Sequence, residues 1–115
     1  MKEKRKADRI KAVLILSYDL FKGVRVRRHG VSEDVSFTGI RIKIPKKYAQ
    51  ELSKEQTVGL EIEGLPKIES FFIGGKVVWI APGPDENSSR VGITFVEMND
   101  FQKDKLAKYL HGITK

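Results

Sequence analysis

The stretch Gly39-Ile40-Arg41-Ile42-Lys43-Ile44 carries isoleucine at every second position, with Arg41 and Lys43 between. Side chains of an extended chain alternate faces, so the isoleucines share one side and the cations the other: a half-buried strand. Pro45 ends it, because proline offers no N–H to a neighbouring strand, and residues 45–52 have room for a short helical turn at the surface. On the other side of Gly39 stands Asp34-Val35-Ser36-Phe37-Thr38-Gly39, which breaks the alternation with a carboxylate, a hydroxyl and a glycine. Asp, Ser and Gly are turn formers, so the plain reading is a turn between two strands.

The same period recurs along the chain. Residues 12–18 and 24–35 are rich in apolar and β-branched side chains and flank a turn at 19–23. Val58, Leu60 and Ile62 alternate with Gly59 and Glu61, and residues 64–66 turn the chain. Residues 70–80 form a long apolar strand in which Phe71 and Phe72 read as core, and the paired Gly74-Gly75 reads as a bulge or bend. A polar loop at 82–89 precedes a last alternating strand on Val91, Ile93 and Phe95. Only the C-terminal segment changes period. Asn99 or Asp100 can cap a helix there, Gln102 can close a capping box with Asn99, and Phe101, Leu106, Tyr109, Leu110 and Ile113 are the expected buried stripe. The expectation is a mainly β chain, a six-stranded antiparallel β-barrel with one C-terminal α-helix across an open end or side.

At 115 residues the chain is one domain, divided as a basic arm at 1–11, a barrel at 12–96 and the helix segment at 97–115. It has no cysteine, and its two histidines, His29 and His111, lack ligand-like spacing, so no metal or cofactor is expected. His29 reads as an exposed strand residue and His111 as a helix C-terminal one. The apolar run after the arm is too short for a signal core or a membrane span, so the expected location is cytoplasmic, without membrane insertion. Lys and Arg total 22 against 15 Asp and Glu, a net charge of +7. Residues 2–9 hold five cations and two anions, and Arg25, Arg27 and Arg28 form a second cluster. Such clusters favour an anionic partner.

Within the arm, Arg5-Lys6-Ala7-Asp8-Arg9 spaces two guanidinium groups so that both can reach one ligand. Guanidinium pairs with phosphate oxygens and with the O6 and N7 acceptors of guanine. Asp34 offers the complementary acceptor for guanine N–H donors, Ser36 a hydroxyl, and Gly39 a bare backbone. Together they read as a site for a phosphorylated guanine nucleotide. His29, Asp34 and Ser36 have no accompanying oxyanion-hole motif, so an enzyme is not expected. A small basic barrel binding RNA or single-stranded DNA is the alternative. Against it, Arg41 and Lys43 have no aromatic between them on the outward face of their strand, where such platforms interleave aromatics with cations.

The pairing of RxxxR at 5–9 with DxSxxG at 34–39 resembles the PilZ domain family, bacterial receptors for the second messenger cyclic di-GMP. Gly74-Gly75-Lys76-Val77-Val78-Trp79-Ile80 and Arg90-Val91-Gly92-Ile93-Thr94-Phe95 are similar to that family's later strands, so the resemblance spans nearly the whole chain. It implies a split-barrel fold and a nucleotide-binding role. Arg5 and Arg9 would contact phosphate and guanine, and Asp34, Ser36 and Gly39 would hold a guanine against the barrel. Trp79 would line the same site, its other reading being a core tryptophan. Lys4 stands where the family sets whether one ligand or a stacked pair binds, and a cation there leans toward the pair. The implied mechanism is a switch: the ligand draws a mobile arm onto the barrel, and an unidentified downstream protein reads the result through the 82–89 loop or the helix.

Overall fold

The computed structural model describes residues 13–21, 23–63 and 70–113. The arm at 1–11, with Lys4, Arg5 and Arg9, and the turn expected at 64–66 lie outside the described residues. Six strands form: β1 (Val13–Phe21), β2 (Val24–Val35), β3 (Gly39–Pro45), β4 (Thr57–Ile62), β5 (Phe71–Pro82) and β6 (Ser88–Val96). The short helix α1 (Lys46–Ala49) follows β3, and α2 (Asp100–Ile113) follows β6. All neighbouring pairs are antiparallel, and the order β1-β2-β3-β6-β5-β4 closes into a barrel.

The period of two builds the core directly. Leu14, Leu16 and Tyr18 of β1, Ile40, Ile42 and Ile44 of β3, and Val58, Leu60 and Ile62 of β4 are all buried. Phe71, Ile73 and Val77 of β5 and Val91 and Ile93 of β6 complete the interior. Burying one such side chain contributes about 1.5–3 kcal/mol, so the alternating set outweighs any single polar contact.

Phe72, expected in the core with Phe71, points outward and is 64% exposed. Adjacent strand residues face opposite sides, and Phe71 takes the inner position. Gly74-Gly75 carries no bulge: the pair stays in register with Gly59 and Val58 on β4 and with Val96 and Phe95 on β6. Gly75 is small for packing, since a Cβ there would fall 2.5 Å from Ile93 Cγ2.

The expected capping box forms at the start of α2. Asn99 Oδ1 accepts from Gln102 N at 2.8 Å, and Asn99 N donates to Gln102 Oε1 at 2.9 Å. Gln102 Nε2 then donates to the Phe72 carbonyl at 2.9 Å, tying the helix to β5. Leu106 and Tyr109 are fully buried, Tyr109 meeting Phe71 edge-on with 5.8 Å between ring centroids. Phe101 is 64% exposed and so is not part of the stripe. Its five-residue offset from Leu106 turns it about 140° around the helix.

One polar cluster is set into this apolar frame where the segment after α1 meets β1 and β2. The Tyr18 hydroxyl donates to Glu51, and Arg28 Nε and Nη2 grip the same carboxylate at 3.2 and 3.1 Å. The Arg28 guanidinium lies over the Tyr48 ring, 4.4 Å from its centroid. Burial, and then the hydrogen bond to Glu51, push the Tyr18 phenol up to about 12. The hydrogen bond from Tyr18, together with the hydrogen bonds and charge of Arg28, draws Glu51 below the ordinary carboxylate value.

Candidate functional site

Two one-residue irregularities create the site. On β2, Ser32 is opposite Ile42 and Asp34 is opposite Arg41, so Glu33 is an extra residue, a β-bulge. Without it Asp34 would share the inward parity of the buried Ser32. With it, Glu33 and Asp34 both stand on the outer face and Val35 returns to the core. On β5, Val77 is opposite Ile93 and Trp79 opposite Gly92, which makes Val78 the extra residue. Trp79 is thereby moved from the inward row to the outside, where it is 38% exposed. The core reading of this tryptophan does not hold.

The two bulges act on one line. Asp34 is the partner of Arg41, Arg41 of Gly92, and Gly92 of Trp79, so a cross-strand row runs over β2, β3, β6 and β5. The indole lies directly on Gly92: a Cβ there would fall 2.3 Å from Trp79 Nε1 and Cε2. Glycine at 92 is thus the floor on which the ring rests. Sequence reasoning passed over this residue. Its signal was available, because a lone glycine in a strand marks a close approach.

At the Asp34 end the row meets the β2–β3 turn. Ser36 N donates to the Gly39 carbonyl at 2.9 Å, and Ser36 Oγ accepts from Thr38 N and Gly39 N at 3.2 and 3.3 Å. The hydroxyl therefore shapes the turn, as the plain reading of Asp34–Gly39 expects. The turn is pinned to β6 in its own right, with Phe95 N and Thr94 Oγ1 both donating to the Thr38 carbonyl at 2.8 and 3.2 Å. At Gly39, a Cβ would sit 2.5 Å from the Ile93 carbonyl oxygen. The close neighbour that excludes a side chain there is the backbone of β6.

Charge on the outer face is already paired in a chain. Arg41 Nη2 contacts Asp34 Oδ2, Arg41 Nε lies 3.7 Å from Glu33 Oε1, and Arg90 Nε donates to that same oxygen at 2.7 Å. Arg41, read from sequence as an outward strand cation, and Arg90 therefore belong to the surroundings of Asp34. Sequence reasoning missed Glu33 and Arg90, since their approach depends on the bulge. Three of the expected site residues, Asp34, Ser36 and Gly39, come together on one hairpin, with Trp79 on the same outer face. His29 is exposed on β2, beside a cleft of about 440 Å³ also lined by Val13, Val31, Lys43 and Asp85.

The model of the PilZ domain family matches residues 3–112. The chain belongs to the PilZ domain family. Three solved structures have similar folds. The Bacillus subtilis inhibitor of motility MotI/DgrA aligns at a TM-score of 0.65 with 16% identity, over 92% of this chain and 47% of that one. The PilZ domain of Escherichia coli YcgR, solved with c-di-GMP, aligns at 0.67 with 9% identity, over 91% and 88% of the two chains. Borreliella burgdorferi PlzA, in complex with c-di-GMP, aligns at 0.58 with 9% identity, over 99% of this chain and 48% of that one. This PilZ chain thus spans about half the length of MotI/DgrA and of PlzA. No curated protein matches it. Among the described residues no helix is long and apolar enough to cross a membrane.

Proposed function

We propose that this PilZ domain is a receptor for cyclic di-GMP and acts as a switch without catalysing a reaction. The observation that carries the reading is the convergence of Asp34, the Ser36 turn and the outward Trp79 on one face of the barrel. It is supported by family membership and by the c-di-GMP held in the YcgR and PlzA structures. Asp34 would accept from the N–H donors of a guanine, and Ser36 would add a contact from its hydroxyl. Trp79 would lie against the ligand with its open ring face. Arg5 and Arg9 would supply paired hydrogen bonds to phosphate and to guanine O6 and N7, with Lys4 adding charge for a stacked pair. Drawing those cations onto the barrel would order the arm and change the surface offered to a downstream protein.

Calorimetric titration with cyclic di-GMP tests the reading. Wild type should release heat on saturation, and Arg9→Ala should cost about 1.5–3 kcal/mol of binding energy through its charged hydrogen bonds. Absence of heat with wild-type protein refutes the receptor reading. Hydrogen exchange separates the switch from simple binding, because protection in residues 2–11 should rise with ligand. A surface for single-stranded nucleic acid would share the net positive charge and the exposed indole, so salt distinguishes the two. Affinity for an oligonucleotide should fall steeply between low and moderate salt, and affinity for one small dianion much less.

A further inference from the structure

The chain of ion pairs on the outer face bears on the same site, and its functional meaning rests on the receptor reading. Asp34 is engaged in the structure by Arg41 Nη2. A guanidinium presents a planar fork of N–H donors. The edge of guanine carrying N1–H and the exocyclic amine presents the same kind of fork, and a carboxylate can face only one such partner squarely. Arg41 is held there imperfectly. Its Nε is buried and has no hydrogen-bond partner among the described residues, with Glu33 Oε1 3.7 Å away. That oxygen is already shared with Arg90.

We propose that Arg41 is an internal competitor for the guanine site: it occupies Asp34 in the free protein and moves to Glu33 when a guanine takes its place. The move is short, since Glu33 and Asp34 are adjacent residues of one bulge on the same face. It gives the buried Nε the acceptor it lacks. Guanine, with two donors on one edge, therefore replaces a guanidinium that holds Asp34 through Nη2. Bases whose edge lacks the paired donors compete less well with Arg41 for the carboxylate. Arg41 is accordingly a specificity-determining residue of the domain.

The test compares Arg41→Met with Arg90→Met. Each removes one positive charge from the same face and keeps an apolar stem, but only the first removes the competitor of Asp34. The expected result is that Arg41→Met binds cyclic di-GMP at least about three-fold more tightly than Arg90→Met at equal salt. Equal or weaker binding by Arg41→Met, with wild type still binding, overturns this inference alone. No binding by wild type overturns the receptor reading and this inference with it. A measurement on unmodified protein covers the case of a variant that does not fold. On saturation the guanidinium NMR signals of Arg41 should shift markedly more than those of Arg90, and Arg41 signals that stay in place refute the exchange.

Discussion

Replacing Gly92 by alanine puts a methyl group where the Trp79 indole now lies. The added Cβ would be 2.3 Å from Nε1 and Cε2 and 2.8 Å from Cζ2, far inside van der Waals contact. The backbone of β6 is held on both sides by β3 and β5, so the ring must give way. With 38% of its surface exposed, the indole keeps roughly 150 Å² covered, taking about 250 Å² for the whole side chain. At about 25 cal/mol per Å² that cover is worth at most about 4 kcal/mol. A displaced ring finds some cover elsewhere, so the expected loss is about 1–3 kcal/mol. Urea denaturation measures it, and fluorescence reports it independently, because this is the chain's single tryptophan and its emission should shift to the red. The decisive comparison is a double-mutant cycle with Trp79→Ala. Once the ring is gone, Gly92→Ala should be nearly neutral, and strong coupling is the signature of direct contact. Equal cost of Gly92→Ala with and without the indole would refute the floor-and-ring account.

The turn, the β3–β6 seam and the polar cluster can each be perturbed separately. Ser36→Ala removes the oxygen that accepts from Thr38 N and Gly39 N, and should cost about 1 kcal/mol in a denaturant titration; a change below the error of the method would show the turn to be self-sufficient. Gly39→Ala drives a Cβ against the Ile93 carbonyl and should cost about 1–3 kcal/mol by the same method, with the β3–β6 amides losing hydrogen-exchange protection first. Tyr18 ionises near 10 in the unfolded chain and at about 12 when folded. The stability it contributes is whole below pH 10 and is lost as pH rises through 12, so melting temperature should fall more steeply across that window in wild type than in Tyr18→Phe. Parallel curves would remove Tyr18 from the alkaline response.

The period-two runs made most of the barrel legible. Ile40, Ile42 and Ile44 announce an inward row without reference to any neighbour, and Asn99 with Gln102 announces the start of α2, because both signals are local. The bulges were not legible. An extra residue such as Glu33 or Val78 looks like any other position, and only the partner strand shows that two residues stand against one. Everything that depends on parity beyond a bulge was therefore open. Trp79 follows Phe71, Ile73 and Val77 at even spacing and would have been buried by simple alternation. Asp34 and Ser36 were singled out as candidates through their motif, although what surrounds them, Glu33, Arg41 and Arg90, depends on register. Of the two readings of the paired glycines, the bulge does not hold for a related reason, since a missing side chain also serves close packing, as Gly75 does against Ile93.

The ring of six strands has a further consequence. In an open sheet the two outermost strands display unsatisfied N–H and C=O groups, and another protein can bind by adding a strand there. Here every strand has two neighbours over the middle of the barrel, and among the described residues that mode of docking is confined to the overhanging ends: residues 18–21 of β1 beyond β4, 24–30 of β2 beyond β3, and 78–82 of β5 beyond β4. Over the closed middle of the barrel a partner would have only side chains to engage, and the same closure guards that part of the protein against sheet-to-sheet aggregation.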